Sequence, residues 1–220
     1  YSFLSYFGYI AGKKVSDGYW EVMAKKGKEL NPYSLGFAQV VAVSETDEQA
    51  EKDYAPHMDY FYNRCLHVYN GFADAPGYRT VKTIKAGVLG QVGDQAALRR
   101  EGLKWKDFLD QGYVIAGSPK TVRERLREAI KSLNCGHLMI LQQIGSMPPE
   151  LVRKSTNLFA TEVMPYMRDL WTDFEDRWSP KRDLPAADFA VPNQVHFEKR
   201  EVNGKARPAA GTGAEARSAK

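Results

Sequence analysis

The chain has 220 residues, of which 43% are hydrophobic and 26% are charged. These values are typical of a globular domain and exclude a chain that is disordered throughout. The whole net charge of +4 comes from residues 199–220, where six basic side chains outnumber Glu201 and Glu215. Residues 1–198 have no net charge, so their charge balance does not indicate a surface that binds nucleic acid.

The chain begins at Tyr1 with the apolar, aromatic-rich stretch YSFLSYFGYIAG. This stretch lacks the basic leader and cleavage site of a signal peptide, and it is too short to span a membrane. Its composition predicts a strand over residues 2–8, followed by an amphipathic helix within residues 16–30. Because the strand is entered midway, we expect that upstream sequence is missing.

Two further buried strands are predicted downstream. The runs FAQVVAVS (residues 37–44) and HLMILQQ (residues 137–143) have strand length and are mainly apolar, as in strands covered on both faces of a parallel sheet. After the first run, Thr46 and Gln49 have capping-box spacing and predict a long helix. Pro56 removes an amide donor within that helix, which predicts a kink nearby.

Two more helices are indicated by their starting residues. Ser118 is a suitable N-cap for an amphipathic helix over residues 118–133. Pro148 and Pro149 predict the start of a closing helix, and Pro165 predicts a bend within it.

A long glycine-rich segment, residues 71–112, interrupts this order and contains a short polar helix over residues 96–110. Segments of this length in compact α/β domains are functional lids or are disordered, and the composition leaves both open. If the segment is a lid, Val88 and Leu89 are among the apolar side chains that would close over a site.

The predicted order of elements is that of an α/β domain over residues 1–178, with a mostly disordered tail over residues 179–220. Right-handed crossovers make the three strands parallel neighbours, with the helices on one side. A barrel and an open sheet both fit this order. Three strands cannot close into a barrel, so we expect the other face to expose apolar side chains such as Leu4, Val41 and Leu141, or their neighbours along the strands.

The cysteines and histidines give no sign of a metal site. Cys65 and Cys135 have neither metal-ligand spacing nor a disulfide pattern, which predicts buried free thiols in a reducing compartment, the cytoplasm. The four histidines are scattered along the chain without matching carboxylates, so we expect no bound metal. They are His57, His67, His137 and His196.

Four segments, in their order and spacing, resemble the bacterial luciferase-like flavin-dependent monooxygenases. They are VAVSETDEQA after a strand, GSPKTVRERL at a helix start, HLMILQQIG before a turn, and LFATEVMPYMRDLW near the end. The resemblance covers roughly residues 1–172. It implies a TIM-type (β/α)8 barrel, of which this chain is an incomplete C-terminal portion with about three parallel strands.

The resemblance also implies chemistry. In that family reduced flavin, FMN, reacts with O2 to oxidise an organic substrate, while the protein binds, orients and excludes water. The flavin-phosphate segment and the catalytic residues of the family would lie upstream of Tyr1. We therefore expect the 220-residue chain to bind flavin weakly and to be inactive alone.

Few site residues can be assigned from the resemblance. Ser5 and Tyr6 match a Ser-Trp pair beside the flavin, although an aromatic that fills the barrel mouth is an equal alternative for Tyr6. Phe7 is a candidate for an apolar substrate contact. Gln142 and Gln143 end the last strand, where one side chain would face the barrel mouth and the other the helices.

An anion site at Ser118 is a further alternative, because a helix amino terminus attracts phosphate. N-capping is the favoured interpretation, since Gly-Ser-Pro lacks the multiple glycines of a phosphate loop.

Three other functions remain as alternatives. They are a deazaflavin-dependent oxidoreductase, a non-catalytic luciferase-like partner subunit, and an unrelated sugar-phosphate barrel. The favoured function implies a small apolar organic substrate, a flavin reductase as a possible partner and a dimer at full length, with neither nucleic acid nor membrane as a partner.

Overall fold

A small parallel sheet organises the residues that the computed structural model describes, which are residues 1–4, 8–65 and 102–179. These residues belong to one compact unit. Helices connect the strands in the order expected of an α/β fold. In chain order the elements are β1 (Ser2–Leu4), α1 (Gly8–Lys25), β2 (Gly36–Val43), α2 (Asp47–Asp59), α3 (Trp105–Asp110), β3 (Val114–Gly117), α4 (Pro119–Leu133), β4 (His137–Leu141) and α5 (Pro149–Leu158).

Strand β2 pairs in parallel with each of the other three strands. Gly36 pairs with both Ser2 of β1 and His137 of β4, so these two strands lie on opposite edges of β2. Val40 pairs with residues of both β3 and β4. Strands β1 and β3 therefore follow one another along one edge of β2, and β4 occupies the other edge. The predicted parallel pairing is confirmed, and the strands of the described residues form an open sheet.

The core lies on both faces of β2, because successive side chains of a strand point to opposite faces. Phe37, Val41 and Val43 pack with α1 and α4, which we call the α1–α4 face. Val40 and Ala42 pack with α2 and α3, which we call the α2–α3 face. The expectation of helices on one side was therefore wrong at β2, and Val41 is fully buried instead of exposed.

An apolar surface is nevertheless exposed at the edges of the sheet. Leu4, Met139 and Leu141 are 42%, 46% and 39% exposed. In the strand register Ala38 pairs with both Leu4 and Met139, and Val40 pairs with Leu141. We call Leu4, Met139 and Leu141 the exposed sheet patch. The predicted exposure of Leu4 and Leu141 is confirmed.

Helix α1 begins earlier than the sequence pattern indicated. The predicted strand over residues 2–8 ends at Leu4, and the helix starts at Gly8 instead of near residue 16. Buried Tyr9, Gly12 and Ser16 recur at helical intervals along its face. Aromatic residues favour strands, but they also pack well on the buried side of a helix, so composition alone did not distinguish the two.

The predicted helix starts at Thr46 and Ser118 are confirmed by their hydrogen bonds. Thr46 accepts a hydrogen bond from the amide of Gln49 at 3.1 Å. Ser118 accepts one from the amide of Thr121 at 3.3 Å. Helix α2 continues through Pro56 to Asp59.

The closing helix starts at Pro149, as predicted, and loses regular α geometry towards its end. Helix α5 ends at Leu158 and continues as a π-helical turn over Phe159–Val163. A 3-10 turn over Met164–Met167 follows and contains Pro165, the predicted site of a bend. The helical geometry is therefore irregular around Pro165, and the bend itself stays a prediction.

The C-terminal part of the helix predicted over residues 96–110 is present as α3, and strand β3, which follows the glycine-rich segment, was not predicted. Helix α3 buries Phe108 against the α2–α3 face. The side chain of Asn63 donates to the carbonyl of Leu103 at 2.8 Å and accepts from its amide at 2.9 Å. Residues 66–101, which include most of the predicted lid, and residues 180–220 of the predicted tail lie outside the described residues.

Within the described parts of the chain, no helix is long and apolar enough to cross a membrane.

Two glycines of helix α1 provide a matched test of this fold. Gly8 has φ +73° and its Cα faces the Gly112 carbonyl, so an added Cβ would overlap that oxygen. We expect Gly8→Ala to lower the free energy of unfolding by at least about 2 kcal/mol. The control Gly18→Ala lies in the same helix with nothing near its added methyl, and should raise stability by about 0.5–1 kcal/mol. Urea denaturation measures both free energies of unfolding. A Gly8→Ala variant as stable as the unmodified protein would contradict the start of α1 at Gly8.

Candidate functional site

Ligands of parallel α/β folds bind at the carboxyl ends of the strands, so the residues that follow β2, β3 and β4 are the first candidates. They form two polar clusters, around Asp47 and around Asp53, and a pair of glutamines.

The amino terminus of helix α4 is already bound by a carboxylate from the same chain. Asp47 accepts hydrogen bonds from the Ser118 amide at 2.6 Å and from the Thr121 hydroxyl at 2.9 Å. Partial burial acts to raise the pKa of Asp47, but these hydrogen bonds outweigh it and hold the pKa below its ordinary value. The position that a phosphate would take is thus filled, in agreement with the preference for N-capping at Ser118.

Asp53 is the centre of a second cluster at the end of β2. It accepts hydrogen bonds from Ser44 at 2.7 Å, Gln49 at 2.6 Å and Lys154 at 3.1 Å. Lys154 also pairs with Glu45 at 2.7 Å. Burial acts to raise the pKa of Asp53, yet its three partners together keep the pKa below its ordinary value. A carboxylate with this many partners joins α2 and α5 to the strand end and has little capacity left for a ligand.

The two glutamines at the end of β4 lie in different surroundings. From Leu138 to Gln143, half-buried and exposed residues alternate, as strand geometry requires. Gln143 is exposed like Met139 and Leu141, and it lies two residues beyond the end of β4. Gln142 is half-buried, and its Oε1 is shielded from solvent without a hydrogen-bond partner among the described residues.

Sequence reasoning missed a third glutamine, Gln39, which is 2% exposed in the middle of β2. Its Nε2 donates to the carbonyl oxygens of Gly112 at 3.3 Å and Tyr113 at 3.1 Å, and so ties β2 to the start of β3. Its Oε1 is buried and accepts no hydrogen bond from the part of the chain that the structure describes. The signal was present, because Gln39 is the one amide within the apolar run FAQVVAVS.

The remaining predicted site residues fall outside the described residues. They are Ser5, Tyr6 and Phe7 between β1 and α1, and Val88 and Leu89 in the long segment.

The cysteines are free thiols in different environments. Cys135 is buried as predicted, and burial raises its pKa to about 11. Cys65 is exposed, so the prediction of a buried thiol was wrong there. It lies in the π-helical turn Tyr60–Cys65 that follows α2. None of the residues of this turn is buried. Among the described residues, no group of three histidine, cysteine or carboxylate side chains could hold a metal ion.

Comparison with known proteins gives similarity to solved structures alone. No protein-family model matches the chain, and no curated protein is significantly similar to it. One similar structure is the oxygenating constituent of 3,6-diketocamphane monooxygenase, a type II Baeyer–Villiger monooxygenase from the CAM plasmid of Pseudomonas putida, in complex with FMN. The two share 17% identity over 74% of this chain and 42% of that chain, with a TM-score of 0.48.

Two other solved structures are similar at comparable levels. The monooxygenase RslO1 from Streptomyces bottropensis shares 12% identity over 75% of this chain and 41% of that chain, with a TM-score of 0.43. Apo-MsnO8 shares 18% identity over 72% of this chain and 43% of that chain, with a TM-score of 0.36. The chain thus spans 41–43% of the length of these structures.

The carboxylate at the start of α4 gives a testable stability prediction. Asp47→Asn removes the charge that binds the Ser118 amide, and should lower the free energy of unfolding by about 1 kcal/mol at pH 7. Because the folded-state pKa of Asp47 is lowered, its contribution is complete above the unfolded pKa of about 4 and declines as the pH falls further. Urea denaturation at pH 7, 5 and about 3 should show a difference that shrinks only at the lowest pH.

The matched control is Glu48→Gln, which changes the neighbouring exposed carboxylate in the first turn of α2. It should change stability by less than about 0.5 kcal/mol. Equal effects of the two substitutions would show that Asp47 acts through the dipole of α2 and not through α4.

Proposed function

We propose that this chain is part of a flavin-dependent monooxygenase that uses reduced FMN and O2 to oxidise a small apolar organic substrate. The observation that carries the proposal is the exposed sheet patch, with exposed Gln143 two residues beyond the carboxyl end of β4. The order of sequence segments that resembles the luciferase-like family supports it independently. The proposal keeps a flavin reductase, which would supply the reduced cofactor, and a full-length dimer.

The residues of this surface fit the ring of a flavin. An isoalloxazine ring is flat, largely apolar on its faces and lined with hydrogen-bonding groups along one edge. Leu4, Met139 and Leu141 offer an apolar surface across β1 and β4, and Gln143 offers a donor and an acceptor at its end. The fit does not extend to a phosphate at the start of α4, because Asp47 takes that position.

Bound reduced flavin would supply the reaction with oxygen. The chain's own contribution is to bind, orient and dehydrate. The aliphatic side chains of Leu4 and Leu141 exclude water from the ring face, and Met139 adapts its flexible thioether to a flat surface. The amide of Gln143 fixes the ring orientation through a hydrogen bond at the strand end. Because a deazaflavin presents a similar polar edge, Gln143 does not select between the two cofactors.

Titration with riboflavin and FMN tests the proposal. Both should bind with similar dissociation constants, of roughly 0.1 mM or weaker, because the surface holds the ring and lacks a phosphate site. Met139→Asp should weaken binding more than tenfold by placing a charge against the ring. Gln143→Leu should weaken it about two- to tenfold, the loss expected for one hydrogen bond. Quenching of flavin fluorescence measures each constant.

Gln142→Leu is the matched control, because Gln142 is the adjacent amide and is half-buried instead of exposed, so this substitution should leave the constants within about twofold. No binding of either flavin at millimolar concentration would refute the proposed ring site. Much tighter binding of FMN than of riboflavin would reveal a phosphate site in this chain and refute its assignment upstream.

A further inference from the structure

A second apolar site lies on the other side of β4, under the closing segment, which we define as residues 159–171. The cavity has a volume of about 380 Å3 and is partly open to solvent. Leu126 and Ile130 of α4 form its floor together with Leu138 and Ile140 of β4. Alternation along β4 therefore separates this cavity from the exposed sheet patch, which uses Met139 and Leu141.

The size and lining of the cavity suit a small apolar ligand. Its volume is more than twice that of the ~150 Å3 apolar cavities that stay dry and bind benzene. Apolar side chains dominate its walls, and Met164 and Met167 of the closing segment add flexible thioethers that adjust to different shapes. Met164 is 38% exposed, which places it at the opening.

A single positive charge accompanies this apolar lining. Arg168 is the one charged residue among the described residues that line the cavity, and it is exposed. The adjacent carboxylate, Asp169, is engaged by Arg127 in a two-pronged ion pair at 2.6 and 2.8 Å. No hydrogen bond or ion pair joins the Arg168 guanidinium to the described parts of the chain. An anionic head group at the opening would give it a partner.

Backbone strain marks the same wall. Trp171 lines the cavity with φ 63°, a left-handed conformation that is unusual for a bulky residue. Its indole Nε1 donates to the Cys135 carbonyl at 2.9 Å, and its ring stacks edge-on with Phe174 at 6.3 Å between centroids. These contacts hold the ring against the cavity despite the backbone cost. Such strain is concentrated at ligand-binding sites.

We propose that this cavity binds an amphipathic monocarboxylate, with its hydrocarbon tail between α4 and β4 and its carboxylate at Arg168. The tail replaces water against Leu126, Ile130, Leu138 and Ile140, which supplies most of the affinity. The carboxylate selects the acid over the corresponding alcohol. This site is independent of the proposed flavin surface, because different residues of β4 form the two.

Calorimetric titration with decanoate, 1-decanol and acetate tests the proposal. Decanoate should bind, 1-decanol should bind about two- to fivefold more weakly, and acetate should not bind measurably. Arg168→Gln should weaken decanoate binding about two- to fivefold and leave 1-decanol unchanged. The control Lys120→Gln removes an exposed cation of α4 outside the cavity and should change neither constant.

A cavity-filling substitution tests the position of the tail. Ile140→Trp should abolish the binding of decanoate and 1-decanol, with folding verified by thermal denaturation. Met139→Asp, on the opposite face of the same strand, should leave decanoate binding intact. Loss of binding in Met139→Asp, or unchanged binding in folded Ile140→Trp, would overturn the site. Equal affinities for acid and alcohol, unaffected by Arg168→Gln, would overturn the carboxylate assignment even if Ile140→Trp does not fold.

Discussion

Parallel pairing of β2 on both of its edges is the constraint on which the rest of the structure depends. Because β2 pairs with β1 and β3 along one edge and β4 along the other, its backbone groups are satisfied by neighbouring strands. All eight of its residues are buried. A strand with both edges paired and both faces covered fixes the register of its neighbours, since a slip of one residue would exchange the two faces.

That register gives β4 two different surfaces. On one face, Leu138 and Ile140 are the wall of the cavity under the closing segment. On the other, Met139 and Leu141 extend the exposed sheet patch towards Gln143. The proposed carboxylate site and the proposed flavin surface thus lie on opposite faces of the same five-residue strand. Helices α1 and α4 cover the first face, while α2 and α3 cover the second only as far as β2 and β3, which leaves the patch exposed.

Sequence patterns predicted the elements whose signals are local. The apolar runs around Phe37 and Leu138 became parallel strands, and Thr46 and Ser118 became helix caps, because capping depends on residues only three positions apart. Strand β3 was missed because it has only four residues, too few for a periodic signal, and its last residue, Gly117, is also the first residue of the Gly-Ser-Pro helix start.

Features that depend on tertiary contacts were less predictable. The burial of Val41 could not be predicted from the sequence, because it depends on helices that cover both faces of β2. The binding of Asp47 to the start of α4 joins residues 71 positions apart, and no local pattern indicates it. The cavity at Trp171 depends on how the closing segment returns to β4. Of the proposed site, Gln143 was named in advance from its place after the apolar run HLMIL, and its role stays a prediction.

The central claim is that a flavin ring lies on the exposed sheet patch, and methyl NMR of methionine-labelled protein tests it most directly. The chain contains six methionines, of which Met139 lies on the patch and Met164 and Met167 line the cavity. On titration with riboflavin, the ring current should shift the Met139 methyl signal and leave those of Met164 and Met167 in place. Shifts of Met164 and Met167 with an unmoved Met139 would contradict the account.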